Sequence, residues 1–413
     1  MIKQKNKKTD KVNDDSKKDI CDDFTSDLIK QLNKENGEKI AFNLSTDDAP
    51  TNIKRWISTG SRQLDCLISN QKYGGFPEGR IVEVQGPTSS GKSHICFEAA
   101  KATQKMGGIV VYIDTENATS LTNLESIGIN VNKRFVFCQT ACTEEIFAIA
   151  ESTILKARAM AKDVPVTIIW DSIAASSPKA ELEGDYDQNT IGLQARVLGK
   201  GMRKIVNIIG NQNVLFLLVN QQRQKIGVMF GDNITTPGGM AIPYASSVRV
   251  RISSTGQTQI KDKDGNVVGI KVKAKTIKNR VARPFRSCEF QIIFGVGVIE
   301  FEEVFDLFRA HCAEVIKVSP AGVKIGNEYV NVYGTSAWRN FTVSDAGTGE
   351  VILDKKFHKS DFDKILYAPE YAKYMDALFE SALVMKSDTQ AHPTFEDLDS
   401  SSLEEVEAVR AAR

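Results

Sequence analysis

The sequence predicts an α/β protein with a mostly parallel central sheet, a short N-terminal helix and a small α+β domain near its C-terminal end. Three observations favour this fold class. The chain has 413 residues, 41% of them hydrophobic, which is enough for one large domain and a smaller one. Between residues 56 and 299, short apolar runs alternate with amphipathic helical stretches. A glycine-rich segment lies between the first long run and a helical stretch, as at many strand-to-helix connections.

The first 55 residues divide into two segments at about residue 22. Residues 1–22 are mostly Lys, Asp and Asn, so they bury too little apolar surface to offset the entropy of ordering. We expect this Lys/Asp-rich arm to be disordered. Residues 23–55 begin with a helical pattern that places Leu28, Ile29 and Leu32 on one side. We interpret this second segment as a helix and linker that docks on another subunit.

Five continuous apolar runs predict strands that are buried on both faces, which is typical of a parallel sheet. These runs are residues 81–84, 109–113, 135–137, 166–170 and 214–219. Three later runs alternate more between apolar and polar residues, and a turn signal at Asp264-Gly265-Asn266 lies among them. They favour an antiparallel extension of the same sheet, over residues 248–252, 270–274 and 289–293.

The remaining C-terminal sequence has a different character. Residues 300–393 have a mixed composition with aromatic residues and hairpin-like glycines, which predicts a small separate α+β domain. Residues 394–413 contain six acidic residues and two arginines, and we expect a solvated acidic tail.

The composition excludes several classes of protein. The net charge of +1 argues against a globally basic nucleic-acid binder, although a local basic patch stays possible. The seven cysteines form no CxxC pair, and the four histidines are too far apart for a zinc site of ordinary spacing. No apolar run approaches the ~20 residues of a membrane span, and the polar N-terminus is unlike a secretory signal. We therefore expect a cytoplasmic protein with reduced thiols and no membrane partner.

The glycine-rich segment matches the phosphate-binding pattern GxxxxGK[ST] in full. Its glycines let several backbone N–H groups face one anion, and the following helix adds its partial positive charge. Lys92 would reach the β and γ phosphates of ATP, and the Ser93 hydroxyl would ligate Mg²⁺. The predicted nucleotide-binding residues are Gly86, Pro87, Thr88, Ser89, Ser90, Gly91, Lys92 and Ser93.

Polar residues follow three of the predicted parallel strands, and ligands bind at the carboxyl ends of such strands. Asp171 follows an apolar strand and is the expected second Mg²⁺ carboxylate. Glu116 is a candidate general base, because hydrolysis of the γ-phosphate requires a positioned water and a proton acceptor. Gln221 could sense the γ-phosphate by hydrogen bonding. These residues imply a Mg²⁺-dependent ATPase of the P-loop class.

Two polar segments leave the same edge of the sheet as the nucleotide. The first, residues 183–190, precedes an amphipathic helix over 193–209 that has a cationic face. The second, residues 222–239, is long, glycine-rich and basic. Cations that follow phosphates and apolar side chains that wedge between bases suit single-stranded nucleic acid. On these residues alone, ordinary surface loops are the favoured interpretation.

Longer motifs resemble those of the bacterial RecA recombinases over about residues 35–299. The resemblance rests on ordered segments, namely residues 57–61 with 64–65, 79–83, 86–93, 171–175, 178–184, 219–221, 225–231 and 235–239. It implies a RecA-type P-loop ATPase core. It also implies an ATP-dependent helical filament on single-stranded DNA that pairs this strand with homologous double-stranded DNA and exchanges strands in recombination and repair.

The resemblance also implies roles for individual residues. Glu116 would activate the attacking water, and Gln221 would relay the state of the γ-phosphate to the second DNA loop. Lys278 and Arg280 match a cationic pair that reaches the γ-phosphate bound by the neighbouring subunit, like an arginine finger. The implied DNA-binding residues are Ile191 and Ile226, which wedge between bases, with Arg196, Arg203, Arg223, Phe230, Gly238 and Gly239.

Several features depart from the family pattern. Ser120 and Asn123 stand where the family places an Asp and a Tyr around adenine, so base specificity stays open. Pro243 replaces a lysine in the subunit-interface run, and residues 300–393 resemble only phage-encoded relatives, faintly. We thus expect a bacterial or phage-infected cell, with single-strand-binding and loader proteins as further possible partners. The alternative functions are a helicase-like ring motor, a regulatory filament protein without turnover and a small-molecule kinase.

Overall fold

The computed structural model describes residues 12–37, 39–47, 49, 51–160, 163–185, 192–210, 212–224, 234–319, 321–334 and 337–385. The chain divides into two compact units. The core unit contains residues 1–62 and 74–299, and the C-terminal unit contains residues 63–73 and 300–413. The predicted 1–11 part of the N-terminal arm and the acidic tail lie outside the described residues.

Helices and strands are numbered in chain order. The α-helices are α1 (Val12–Asn36), α2 (Arg62–Ser69), α3 (Lys92–Lys105), α4 (Leu121–Ile127), α5 (Thr143–Met160), α6 (Lys179–Leu182), α7 (Leu193–Ile209), α8 (Ala241–Ala245), α9 (Phe301–Val318), α10 (Phe362–Leu366) and α11 (Ala372–Leu383). The strands of the core unit are β1 (Trp56–Ile57), β2 (Phe76–Pro77), β3 (Ile81–Gly86), β4 (Ile109–Asp114), β5 (Phe135–Gln139), β6 (Val166–Asp171), β7 (Val214–Gln221), β8 (Arg223–Gln224), β9 (Ile234–Thr235), β10 (Val248–Lys261), β11 (Val267–Asn279), β12 (Ser287–Ile293) and β13 (Gly297–Ile299). The strands of the C-terminal unit are β14 (Val323–Ile325), β15 (Glu328–Tyr333), β16 (Trp338–Asp345) and β17 (Val351–His358).

A nine-stranded sheet in the order β13-β12-β11-β10-β3-β7-β6-β4-β5 forms the centre of the core unit. The six strands from β10 to β5 are parallel, whereas β10, β11, β12 and β13 pair with one another in antiparallel fashion. This arrangement confirms the predicted parallel sheet with an antiparallel extension. Continuous apolar runs make β3 and β7 almost wholly buried, because helices cover both faces.

Helices α5 and α7 pack together over the sheet. The buried residues of α7 are Leu198, Gly201, Met202, Ile205 and Ile209, at the spacing of one helical face. A Cβ at Gly201 would lie 2.3 Å from the Phe147 ring of α5, so glycine allows this close contact. The predicted helix 193–209 is confirmed at both ends, and its four basic side chains, Arg196, Lys200, Arg203 and Lys204, are exposed.

The C-terminal unit contains a four-stranded antiparallel sheet, β14-β15-β16-β17, with α9, α10 and α11. Its core is aromatic, with Phe305, Phe308, Phe341, Phe362 and Phe379 fully buried. Residues 63–73 also belong to this unit, although they lie far away in sequence. The sequence-based boundary at residue 300 could not show this, because such contacts are long-range.

The N-terminal helix is longer than the periodicity predicts. It begins at Val12, inside the stretch for which the composition favours disorder, and ends at Asn36. Its C-terminal end is followed by a short connection in which the Asn33 side chain accepts the N–H groups of Ile40 and Ala41. Within the described part of the chain, no helix is both long enough and apolar enough to cross a membrane.

Candidate active site

The glycine-rich segment forms a loop between β3 and α3. The backbone turns through positive φ at Ser89 (58°) and Gly91 (93°). A Cβ at Gly86 would lie 2.4 Å from the backbone oxygen of Ile252, so only glycine fits there. Because α3 begins at Lys92, the loop and the N-terminal N–H groups of this helix face a common point. The predicted phosphate loop is therefore present with its strand and its helix.

Lys92 lies across this loop. Its Nζ donates a hydrogen bond to the backbone oxygen of Pro87 at 2.6 Å, and its side chain is largely buried. Burial lowers the pKa of Lys92, whereas the carboxylates of Asp171 and Glu116 raise it. The ammonium group is thus held near both predicted carboxylates, where it can neutralise a phosphate.

Asp171 ends β6 and is close to Ser93 in the first turn of α3. Its carboxylate accepts hydrogen bonds from the Ser93 side chain and from the Tyr112 hydroxyl, the latter at 2.8 Å. Burial raises the pKa of Asp171, and these two hydrogen bonds lower it. A half-buried carboxylate beside a hydroxyl offers the hard oxygen ligands that Mg²⁺ prefers.

The protein ligands at this position are few. Over the described ranges, no group of three or more His, Cys, Asp or Glu side chains could hold a metal ion by itself. A cation between Ser93 and Asp171 would therefore need further oxygens, which a bound phosphate supplies. The donor set fits Mg²⁺ that arrives together with a nucleotide.

Glu116 is held by two side chains from neighbouring strand ends. Its Oε1 accepts hydrogen bonds from Ser172 Oγ at 2.5 Å and from Gln221 Nε2 at 3.0 Å. Ser172 follows β6, and Gln221 is the last residue of β7. The structure thus brings together two residues that the sequence predicts separately, Glu116 and Gln221.

Asp114 fixes the loop that carries Glu116. Its two carboxylate oxygens accept the backbone N–H groups of Glu116 (2.9 Å) and Thr119 (3.0 Å). Sequence reasoning missed Asp114 and Ser172 as functional residues, although Asp114 is two positions before Glu116 and Ser172 directly follows Asp171. For Asp114 the sequence signal was an acid at a strand end, which cannot distinguish a loop-positioning residue from a catalytic one, and no pattern marked Ser172.

The cleft beside the phosphate loop has a volume of about 350 Å³. Asn123, His94 and Phe294 line it, and the Phe294 side chain is 49% exposed. The rings of His94 and Phe294 lie 6.1 Å apart. Ser120 has a different role, because its Oγ caps α4 by accepting the N–H of Asn123. Sequence reasoning missed His94 and Phe294, which no pattern marks as neighbours.

A buried polar network lies behind Gln221. The adjacent Asn220 donates from Nδ2 to Glu83 Oε1 (3.0 Å) and to the backbone oxygen of Pro237 (3.2 Å). Arg249 Nε donates to the other oxygen of Glu83 at 2.5 Å. These contacts join β3, β7 and β10 to Pro237, which precedes the predicted DNA-binding glycines. The buried Glu83 carboxylate is tolerated because Arg249 offsets its charge and Asn220 donates a hydrogen bond to its other oxygen.

Gly238 and Gly239 lie against α7. A Cβ at Gly238 would be 2.8 Å from Leu198 Cδ1, and one at Gly239 would be 3.4 Å from Ala195 Cβ. Both glycines have positive φ, 94° and 64°. The same helix exposes Arg196, so the structure places three of the predicted DNA-binding residues near one another.

The comparisons with known proteins agree with this geometry. The profile of the RecA N-terminal domain matches residues 24–299. The chain is 33% identical to Protein RecA of Bacillus subtilis over 372 residues, covering 90% of this chain and 96% of the relative. The chain belongs to the RecA family. Two further relatives named Protein RecA, from Chlorobaculum parvum and Porphyromonas gingivalis, are 38% and 40% identical over 73% and 61% of this chain and 82% and 70% of their own lengths.

Membership of the RecA family makes the chain a DNA recombinase that takes part in DNA recombination and repair and binds ATP and DNA. The ring-motor alternative is not favoured.

The predicted cationic pair, Lys278 and Arg280, does not line the cleft of its own chain. Lys278 Nζ donates to the backbone oxygens of Pro243 (2.5 Å) and Tyr244 (3.3 Å). Burial, together with Arg280 and Arg249, lowers the pKa of Lys278 to about 8.

The remaining predicted DNA-binding residues of this RecA-family chain fall into two groups. Arg203 on α7 and Arg223 on β8 are exposed, and β8 pairs with β9 in antiparallel fashion. Ile191, Ile226 and Phe230 lie outside the described residues. Their roles therefore stay predictions.

Proposed function

We propose that this RecA-family chain is a DNA-dependent ATPase that forms a helical filament on single-stranded DNA and exchanges strands with a homologous duplex. The hydrogen bond between Gln221 and Glu116 carries this proposal. It connects a carboxylate in the phosphate cleft to Gln221, the residue directly before the second predicted DNA loop. A change at the γ-phosphate would therefore alter the position of that loop.

In the proposed reaction, the phosphate loop and Lys92 bind the β and γ phosphates of ATP. Ser93 and Asp171 would hold Mg²⁺, which would neutralise negative charge on the phosphates. Glu116 orients the attacking water and accepts its proton, and Ser172 keeps this carboxylate in place. Phe294 offers a half-exposed ring on which the adenine base stacks, with Asn123 as a polar neighbour.

The nucleic-acid surface of the proposal combines α7 with the segment around Gly238. Arg196 and Arg203 would contact the DNA backbone as cations, and the two glycines allow the backbone of the protein to approach phosphates closely. Asn220 links this surface to the interior through the oxygen of Pro237. The nucleotide cleft and the DNA surface thus share β7 as a common support.

Substitution of Gln221 tests the link directly. In Gln221→Ala, we expect the ratio of ATPase rates with and without single-stranded DNA to fall about ten-fold, the loss of a coupling of roughly 1–3 kcal/mol. The ATP-dependent gain in DNA affinity should fall with it. Steady-state hydrolysis and fluorescence anisotropy of a labelled oligonucleotide measure both quantities, with Lys92→Ala as the blank.

Gln104→Ala is the control, because the Gln104 amide contacts the backbone oxygens of Asn130 and Lys133 and lies outside the cleft and both predicted DNA loops. This variant should keep the response to DNA. If Gln221→Ala kept full stimulation by DNA and full ATP-dependent DNA affinity, the relay would be refuted. If even the unsubstituted protein hydrolysed ATP equally with and without DNA, the proposed function itself would fail.

Self-assembly is supported by apolar surface at two places in the core unit. The N-terminal segment exposes Phe24 (67%), Ile40 (53%) and Leu44 (66%). At the edge of the nine-stranded sheet, β5 exposes Val136 (48%) and Phe137 (44%). An exposed apolar edge strand is a ready surface for another chain. We propose that the N-terminal segment of one copy docks on the β5 edge of the next.

A charge on this edge should prevent docking. We expect Val136→Lys to abolish ATP-dependent sedimentation of filaments, because an edge lysine disfavours strand addition. Val318→Lys is the control, since Val318 is 89% exposed at the end of α9 in the C-terminal unit. Analytical ultracentrifugation with ATP and single-stranded DNA compares the two variants. Normal filaments of Val136→Lys would exclude β5 as the docking edge.

The cellular setting follows from the proposed reaction. We propose that the protein works in the cytoplasm of a bacterial or phage-infected cell, where DNA is repaired and the thiols stay reduced. Single-strand-binding and loader proteins are the proposed further partners, because a filament must displace the former and benefits from the latter during assembly.

A further inference from the structure

We propose that the outer face of the C-terminal sheet is a separate binding site for single-stranded nucleic acid, which it holds by base stacking. The site is built on Tyr329 and Tyr333 of β15, Trp338 of β16, and Lys356 and His358 of β17, with Lys324 of β14 beside them. We call this surface the aromatic face. It lies in the C-terminal unit, whereas the proposed function uses the cleft and loops of the core unit.

The two faces of this sheet differ in chemistry. Successive side chains along each strand lie on opposite faces of the sheet. One set packs against the helices, and the other set forms the outer face. Val330, Val332, Phe341 and Phe357 are buried on the inner side. The alternate positions hold the aromatic face. A sheet that needed only one apolar face would ordinarily carry small polar residues here, not three large rings.

The register of the strands places the aromatic side chains of this face close together. Tyr333 lies opposite Asn340, and Trp338 lies opposite His358. Because Trp338 and Asn340 are two residues apart on β16, Tyr333 and Trp338 are diagonal neighbours. Their side chains are 43% and 54% exposed. The His358 ring meets Trp338 edge-on, with centroids 5.6 Å apart.

Cations accompany these rings. Lys356 Nζ lies 5.4 Å from the centre of the Trp338 ring, and Lys324 is paired opposite Tyr329 in the strand register. In the described part of the chain, no carboxylate forms an ion pair with either lysine. Asp354, on the same face, accepts a hydrogen bond from the Asn340 amide at 3.4 Å. The two lysines outnumber this one carboxylate, so the net charge of the face is positive, which matches a phosphate backbone.

Rings next to lysines on an open sheet fit single strands better than duplexes. In a single strand the bases are free to stack on aromatic side chains while the phosphates contact cations. In a duplex the faces of the bases are already stacked on each other, and only the backbone is available. A duplex would use the lysines and leave the rings without a partner.

The experiment maps photo-crosslinks on the full chain. A short oligothymidylate that contains 5-iododeoxyuridine is irradiated with the protein, and crosslinked peptides are identified by mass spectrometry. We expect a crosslink at Tyr333 or Trp338 with the single strand, and a yield about ten-fold lower with the same sequence in a duplex, since stacking on aromatic side chains carries the affinity. This readout separates the aromatic face from DNA bound by the core unit.

Three variants test the role of stacking, with the yield at Tyr333 as the readout. Trp338→Leu should lower that yield about ten-fold, and Trp338→Phe, which keeps a ring, should largely restore it. Tyr367→Leu is the matched control, because Tyr367 is 66% exposed in the same unit and is not on the aromatic face. Circular dichroism and thermal unfolding establish that each variant is folded.

The outcomes are distinct. Crosslinks in the core unit alone, or equal yields with single strand and duplex, would overturn the proposal. Equal losses in Trp338→Leu and Trp338→Phe would show that the ring does not stack on a base and would overturn it as well. The proposed function depends on the response of ATP hydrolysis to DNA, so it can stand or fall independently of this result.

Discussion

Glu116→Gln is expected to lower the DNA-dependent rate of ATP hydrolysis on the order of 10²–10⁴-fold, the usual contribution of a positioned general base. The amide keeps the size of the side chain and can still accept hydrogen bonds from Ser172 and Gln221. It cannot accept a proton from the attacking water. Nucleotide binding should persist, because Lys92 and the phosphate loop are unchanged. Steady-state turnover and titration with a fluorescent ATP analogue measure the two effects separately.

Glu125→Gln is the control for this substitution, because Glu125 is exposed on the nearby helix α4 and contacts neither the loop nor Lys92. It should hydrolyse ATP at the unsubstituted rate. A Glu116→Gln protein that turned over ATP normally would show that another group accepts the proton. A protein that lost nucleotide binding too would assign Glu116 a structural role in the cleft.

Lys278→Ala is expected to lower DNA-dependent hydrolysis on the order of 10³-fold or more, as for the loss of an arginine finger. The physical reason is geometric. Lys278 does not line the cleft of its own chain, and its ammonium group contacts the backbone of α8 in the structure. In the proposed filament, it would leave these carbonyl groups and stabilise negative charge on the γ-phosphate of the neighbouring subunit.

Mixing two inactive variants tests whether Lys278 acts between subunits. An active site between two subunits needs Glu116 from one subunit and Lys278 from its neighbour. In the mixture, this site is complete only where a Lys278→Ala subunit supplies Glu116 and a Glu116→Gln subunit supplies Lys278. In an equimolar random mixture, about a quarter of the interfaces are complete, so about a quarter of the activity should return. If both groups acted within one subunit, the mixture would be as inactive as its components.

The pKa of Lys278, about 8, affects how these measurements should be made. Burial and the nearby guanidinium groups disfavour its charged form, so the amine loses its proton as the pH rises through this value. A bound phosphate would raise the pKa again. Assays near pH 7 therefore keep Lys278 protonated and avoid confusing its titration with the loss of the side chain.

Much of the site could be predicted because local rules govern it. The phosphate loop needs glycines at fixed spacing between a strand and a helix, and residues 86–93 satisfy this within one short segment. Asp171 and Glu116 follow apolar strands of a parallel sheet, whose carboxyl ends meet at one edge. The helix at 193–209 has a clear apolar periodicity, and both of its predicted ends agree with the structure.

Other features depended on contacts between distant segments. Phe294 reaches the cleft only because the antiparallel strands β11 and β12 extend the sheet beside the phosphate loop. Ser172 and Asp114 were adjacent to predicted residues, but their partners could not be inferred without the fold. The buried link from Glu83 to Asn220 and Pro237 joins residues more than 130 positions apart. No local pattern encodes such a link.

The sequence by itself determined the fold class, the phosphate loop, the strand-end carboxylates and the resemblance to recombinases, because each is written in short-range spacing and periodicity. The tertiary structure decided which of these residues meet. It placed Gln221 on Glu116, left Lys278 outside its own cleft, assigned residues 63–73 to the C-terminal unit and turned three aromatic rings outward. The physical reason is that strand order and register are set by packing over the whole chain, and these alone fix distances between side chains far apart in sequence.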